Sequence, residues 1–166
     1  MFLKSRYTSP SEYEFVRNYS KIQASLLFAE QELSEWYELV KEKGKERVSL
    51  IHNNLELDHY IKDQDRDYLI SWDNAKFDSP VLDLANLYKN EFFTIEFSSL
   101  FNEYMSISPL NSEELKLFFI IISLPGEISF EGTEFDKCKN MRLKLDYIFK
   151  TELFLTPYYS KNTIEE

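Results

Sequence analysis

From Phe15 to Val40 the apolar side chains recur at steps of three, four and one: Phe15, Val16, Tyr19, Ile22, Leu26, Ala29, Leu33, Trp36, Tyr37 and Val40. That spacing lines up one side of an amphipathic helix. Ser9 is placed to cap it, Pro10 fits the first turn, and Glu12 can return a bond to the cap. Gly44 in KEKGKE is the expected stop, with lysines near the negative end of the helix dipole. Ser20 to Ser25 leaves open whether this stretch is one helix or two. The acidic positions Glu30, Glu32, Glu35 and Glu38 read as solvated sides, and Trp36 and Tyr37 as core.

The pattern then changes period. After a short apolar approach, Val48 to Ile51, the run HYIKDQDRDYLISW has two β-branched and aromatic segments flanking a polar turn at Gln64, Asp65 and Arg66, which predicts a β-hairpin. Asp78-Ser79-Pro80 opens another helix, with Val81, Leu84, Ala85, Leu87 and Tyr88 as its apolar set. A further helix is expected over Glu91 to Met105. Asn111-Ser112-Glu113-Glu114 is a second capping box, leading into Leu117 to Ile122, which is apolar on every side and so should be central. Pro125-Gly126 ends that helix. Thr133 caps a last one, through Phe135, Cys138, Met141, Leu145, Ile148 and Phe149, with a loose tail from about residue 158. No internal repeat, low-complexity tract or linker interrupts the chain. The expectation is one domain over residues 1–166, mainly α with a small β-hairpin.

Composition narrows the function classes. With 43% hydrophobic and 16% aromatic residues, the 166-residue chain can fill a core and is no disordered segment. A formal charge of −10 and the lack of any basic cluster argue against nucleic acid and against anionic lipid. Partners are therefore expected to be proteins, or a ligand held by local geometry. Cys138 is the single cysteine, which excludes an intrachain disulfide and a cysteine-based zinc site, and reads as a small apolar residue on a helix face. The most apolar run, LKLFFIIISL, has only ten residues, about half a membrane span. MFLKSRYTSP turns polar too early for a signal peptide. A soluble, cytoplasmic protein is expected.

Three motifs carry the chemistry: His52-Asn53-Asn54-Leu55-Glu56-Leu57-Asp58-His59, then Ile70-Ser71-Trp72-Asp73, then Ser79-Pro80-Val81-Leu82-Asp83-Leu84-Ala85. Their order and spacing, with helices on either side, resemble the C-terminal lobe of the aminoglycoside phosphotransferase and choline kinase family, within the protein-kinase-like fold. There the loop runs H-G/N-D-L-x-x-x-N, the second motif I-D-W-E/D and the third D-P-x-x-D-L-A. The resemblance covers about 40 residues. It implies a kinase-like large lobe in which Asp83 holds the catalytic loop through hydrogen bonds with His52 as its neighbour, and in which Trp72 and Pro80 are packing residues together with Leu55, Ile70, Leu84 and Ala85.

The departures fall on the catalytic positions. Asn54 stands where the family has its catalytic aspartate, and an amide cannot serve as a base near neutral pH. His59 stands in place of a metal-binding asparagine, and Ser71 in place of the aspartate that holds Mg²⁺, a hard cation that needs oxygen ligands and usually carboxylates. Rescue by Asp73, two residues beyond Ser71, would require bridging roughly 6.5 Å of extended chain. Asp58, beside His59, is the other displaced carboxylate. His52 and His59 as a metal pair lack a third ligand at motif spacing. A structural His52 and a surface His59 are the simpler expectation.

Nine residues precede the first helix, and Gly44, Gly126 and Gly132 form no glycine-rich loop, so neither the small lobe's phosphate loop nor its lysine is expected here. The chain corresponds to a large lobe alone or to a piece of a longer protein, and Met1 permits both. The leading expectation is a non-catalytic kinase-like lobe, with no metal and no cofactor, that binds a protein or self-associates through a cleft near Asn54 and Ser71. The alternative is a small-molecule phosphotransferase using Mg·ATP, of which this would be the C-terminal lobe. A structural part in an assembly is a third possibility, since kinase-like proteins of this branch also occur in spore coats of low-GC bacteria and the Lys-, Asn- and Phe-rich composition suits a bacterial source.

Overall fold

A computed structural model describes residues 7–43 and 46–160. The chain is mainly helical with two small antiparallel strand pairs. Its helices are α1 (Pro10–Val40), α2 (Val81–Glu91), α3 (Phe97–Ile107), α4 (Ser112–Ser123) and α5 (Glu134–Tyr159). Strands β1 (Ser49–Ile51) and β4 (Lys76–Asp78) pair antiparallel with Leu50 opposite Phe77, and β2 (Tyr60–Lys62) pairs with β3 (Asp67–Leu69) with Ile61 opposite Tyr68.

Local chemistry explains where the helices start. The Ser9 amide donates to Glu12 at 2.9 Å while the Glu12 amide donates to the Ser9 hydroxyl at 3.3 Å, the reciprocal box expected from the sequence. Asn111 and Glu114 repeat it with bonds of 2.9 and 2.8 Å, and Thr133 and Asp136 close a third. α1 is one unbroken helix; its expected stop, Gly44, lies outside the described residues. α3 begins at Phe97 rather than Glu91, because the chain turns at Thr94 and Ile95, whose amides both close on the Glu91 carbonyl. α5 runs through Pro157 to Tyr159, just past the expected start of the tail at about residue 158; Pro157 forfeits only a last-turn bond, and the Ser160 amide still reaches the Thr156 carbonyl. Residues 161–166 lie outside the described residues.

By contacts the chain divides into two compact units, one made of residues 1–30 and 123–166 and the other of 31–122. In the first, Ile22, Met141 and Ile148 form a core flanked by Phe15, Ile128, Phe130 and Leu145. The Ser11 amide donates to Glu134 at 2.6 Å, and Lys144 to the Pro125 carbonyl at 2.8 Å. In the second, Phe118 of α4 lies against Phe101 at 5.1 Å and Phe97 at 6.1 Å, with Tyr88 edge-on to Phe97 at 4.8 Å. Val81, Leu84 and Ala85 of α2 and Phe119, Ile120 and Ile122 of α4 are buried, so α4 is central as its sequence predicts.

The apolar stripe of α1 is only partly covered. Ile22 and Ala29 are buried, but Val16, Tyr19, Leu26, Leu33 and Tyr37 are exposed and Trp36 is half-buried, its indole N–H donating to the Glu113 carbonyl. Phe135 and Phe149 of α5 are exposed too. Glu32, expected to be solvated, is buried at 6% exposure, because Lys116 of α4 reaches it at 3.0 Å while also meeting Glu35 at 2.6 Å. Burial works against the Lys116 ammonium, yet the hydrogen bonds it donates to Glu35 and Glu32 leave its pKa raised.

Several carboxylates sit below their ordinary range. Bonds from the Ser11 amide lower Glu134, the Thr133 hydroxyl lowers Asp136, Ser99 lowers Glu96, and Lys43, Lys76 and Lys116 lower Glu113, Asp78 and Glu35. A depressed folded pKa gives stability that is present above the unfolded value, ordinarily 4.5 for Glu and 3.8 for Asp, and is lost as pH falls through the folded one. The melting temperature is therefore expected to fall steadily once pH drops below about 4.5. Melts by circular dichroism between pH 7 and 3 check this; a flat profile would show that these bonds do not form.

Candidate functional site

The three motifs meet around one carboxylate, wholly within the 31–122 unit. Asp83, in the first turn of α2, turns outward from the buried pair Leu84 and Ala85 and accepts two backbone amides: His52 N–H on Oδ2 and Asn53 N–H on Oδ1, each at 2.7 Å. The loop after β1 is thereby pinned to the helix start. Asn53 takes a left-handed backbone with φ of 61°, which asparagine tolerates better than most residues. Asp83 thus holds the backbone of His52 and Asn53.

His52 is fully buried. Its Nε2 lies 2.6 Å from the Ile70 carbonyl, which can only accept, so Nε2–H is the donor. That bond ties the loop to the second motif. The Trp72 ring meets the imidazole edge-on at 4.9 Å, and its indole N–H donates to the Leu69 carbonyl at 2.7 Å. Trp72 and Ile70 remain 43% and 40% exposed, so Ile70 lies outside the core and Trp72 meets the buried imidazole from a half-open position. Pro80, whose helical backbone leads into α2, is half-buried.

His59 is not a surface residue. Its ring is turned into the loop, with Nδ1–H donating to the Asn54 carbonyl at 2.9 Å, Nε2 3.4 Å from Glu56 and the ring centre 5.3 Å from that of His52. Its side chain is only 16% exposed. The Asn54 amide faces Glu56 at 3.5 Å. Ser71 has a left-handed backbone, φ 64°, a costly state for a residue that is neither Gly, Asn nor Asp. The loop's far end is fastened by the Leu57 amide to Glu91 at 2.9 Å and by Asn90 to the Leu55 carbonyl at 3.3 Å. Asp58 and Asp73 are exposed. Among the described residues no group of three or more His, Cys, Asp or Glu is arranged to hold a metal ion, and no helix is long and apolar enough to cross a membrane.

Elsewhere in this unit a cavity of about 450 Å³ has Trp36, Lys43, Arg47 and Glu114 in its wall. Its cations are already matched, Lys43 to Glu113 and Arg47 to Glu114 at 2.8 Å, so it offers no surplus charge to a ligand. Sequence reading missed the β1–β4 pairing and the exposure of the hairpin, whose cross-strand pairs Ile61–Tyr68 and Tyr60–Leu69 read like those of a covered ribbon. The chain matches no family model, no curated protein and no solved structure.

Proposed function

We propose that this protein is a non-catalytic kinase-like lobe that acts by binding another protein. The observation that carries the reading is how the site's polar groups are used. Both oxygens of Asp83 are taken up by loop amides, and the His59 ring faces Asn54 and Glu56 inside the loop. The Asp83 carboxylate and the His59 ring are thus engaged in holding the loop, while the buried Nδ1 of His52 has no hydrogen-bond partner among the described residues. At the positions the resemblance assigns to phosphoryl transfer stand an amide, an imidazole and a hydroxyl: Asn54, His59 and Ser71. None of these supplies the negative charge that holds a divalent cation against a triphosphate.

The test is thermal unfolding with and without Mg·ATP. A ligand held at a hundred times its dissociation constant adds about 2.7 kcal/mol, which for a chain of this size moves the melting temperature by roughly 5–10 °C. The expected shift is nil. A magnesium-dependent rise of that size, with ATP turnover abolished by Asp73→Ala or Asp58→Ala, would favour a phosphotransferase instead.

A further inference from the structure

Both faces of the β2–β3 hairpin are open to solvent. Ile61 and Tyr68, directly opposite each other, are 46% and 48% exposed, and Ile70 continues their row through its amide bond to the His59 carbonyl. On the other face Tyr60 is also half-exposed, its hydroxyl donating to Asp67 at 2.6 Å, beside the Lys62–Asp67 pair. A two-stranded ribbon is marginal in water without something packed on it. Clustered aliphatic and aromatic exposure of this kind marks an interaction surface.

Charge decides what can cover it. Residues 56–73 carry six carboxylates against two cations, Lys62 and Arg66, a net of −4, and Asp58, Asp63, Asp65, Asp67 and Asp73 are all exposed. A second copy would bring the same −4 to the face and −10 overall, setting like charge on like. Phosphate backbones and anionic lipid are repelled in the same way. A partner segment bearing arginine or lysine beside aliphatic residues meets every group present. Its guanidinium or ammonium groups pair with the aspartates and lie on the faces of Tyr60, Tyr68 and Trp72, while its aliphatic side chains cover Ile61 and Ile70.

We propose that the hairpin Tyr60–Leu69 is the docking surface for a basic, amphipathic segment of another protein. This rests on the binding role proposed above and names the chemistry of the partner. The probe is a short synthetic peptide alternating arginine and leucine, titrated into the full ¹⁵N-labelled chain, beside a glutamate–leucine and an arginine–serine counterpart. Saturable binding of the arginine–leucine peptide is expected, with amide shifts confined to residues 57–72. Two variants, Ile61→Ser with Tyr68→Ser, and D63N/D65N/D67N, should each weaken it by about ten-fold or more. The second keeps an acceptor for the Tyr60 hydroxyl and so keeps the hairpin should the first unfold it. The proposal is overturned if no peptide binds, or if the arginine–serine peptide binds as well as the arginine–leucine one. Hairpin amides that move with protein concentration alone would assign the surface to a second copy, and amides that move with calcium chloride alone to a cation. Any of these failures leaves the non-catalytic reading intact, since Mg·ATP decides that separately.

Discussion

Phe118→Ala is expected to lower the unfolding free energy by about 3–5 kcal/mol, a large share of the total for a domain of this size. Phe118 is fully buried and near-parallel to Phe101, with 11° between the ring planes, and Phe97 completes the group. Removing the ring forfeits the transfer energy of its carbons and leaves a void that α2, α3 and α4 can close only by shifting their backbones. Both tryptophans, Trp36 and Trp72, belong to the 31–122 unit, so urea unfolding followed by tryptophan fluorescence reports the loss where it occurs. Phe135→Ala, at a 76% exposed position, is the control and should stay within about 0.5 kcal/mol of the parent. A Phe118→Ala loss below about 1 kcal/mol would mean that the three rings are not the centre of this unit.

That core was legible because Leu117 to Ile122 of α4 is apolar on every side, the longest such run in the chain. The helix starts were legible for a related reason: Ser9–Glu12, Asn111–Glu114 and Thr133–Asp136 each satisfy their own first turn within four residues. What was not legible depends on distant residues. Periodicity fixes which side chains of α1 share a face, but it does not say which of them a distant segment covers: Ile22 and Ala29 are buried, and among the described residues Val16 and Tyr37 stay exposed. Glu32 is buried only because Lys116, 84 positions away, arrives beside it. The three-residue strands β1 and β4 pair across the whole hairpin region, with no tight turn between them to announce the pairing. α3 starts from a Glu96 cap, its carboxylate accepting the Ser99 amide, rather than from the serine, threonine, aspartate or asparagine that usually signals a start.

The candidate site divides along the same line. The hydrogen bond from the His52 amide to Asp83 spans 31 positions, so local pattern alone does not announce it. His59 was misjudged as a surface group. A histidine after Glu56 and Asp58 looks solvated, and only the curl of the Leu57–His59 turn brings its Nδ1 back to the Asn54 carbonyl. The exposure of Trp72 and Ile70 likewise follows from tertiary placement, since the same residues in a covered hairpin would be core.

Asp83→Ala tests the architecture of that site most severely. It strands two amides, one on the buried His52 and one on Asn53, whose left-handed backbone costs of order 1 kcal/mol and is held in place by this bond. A hydrogen bond to a charged acceptor contributes about 1.5–3 kcal/mol, and Asp83 is itself only half-buried, so a loss of about 2–4 kcal/mol in the same urea experiment is expected. Asp83→Asn keeps one acceptor oxygen but points an N–H₂ at the other amide, so it should fall between parent and alanine. Hydrogen exchange supplies the local readout: the His52 and Asn53 amides, slow in the parent, should exchange much faster in Asp83→Ala, while those of Ser11 and Lys144 in the other unit stay unchanged. If Asp83 served only chemistry on a substrate, its removal would leave both stability and these exchange rates near the parent values. The hydrogen bonds to it instead make the shape of the loop, and therefore any surface built on that loop, depend on this carboxylate.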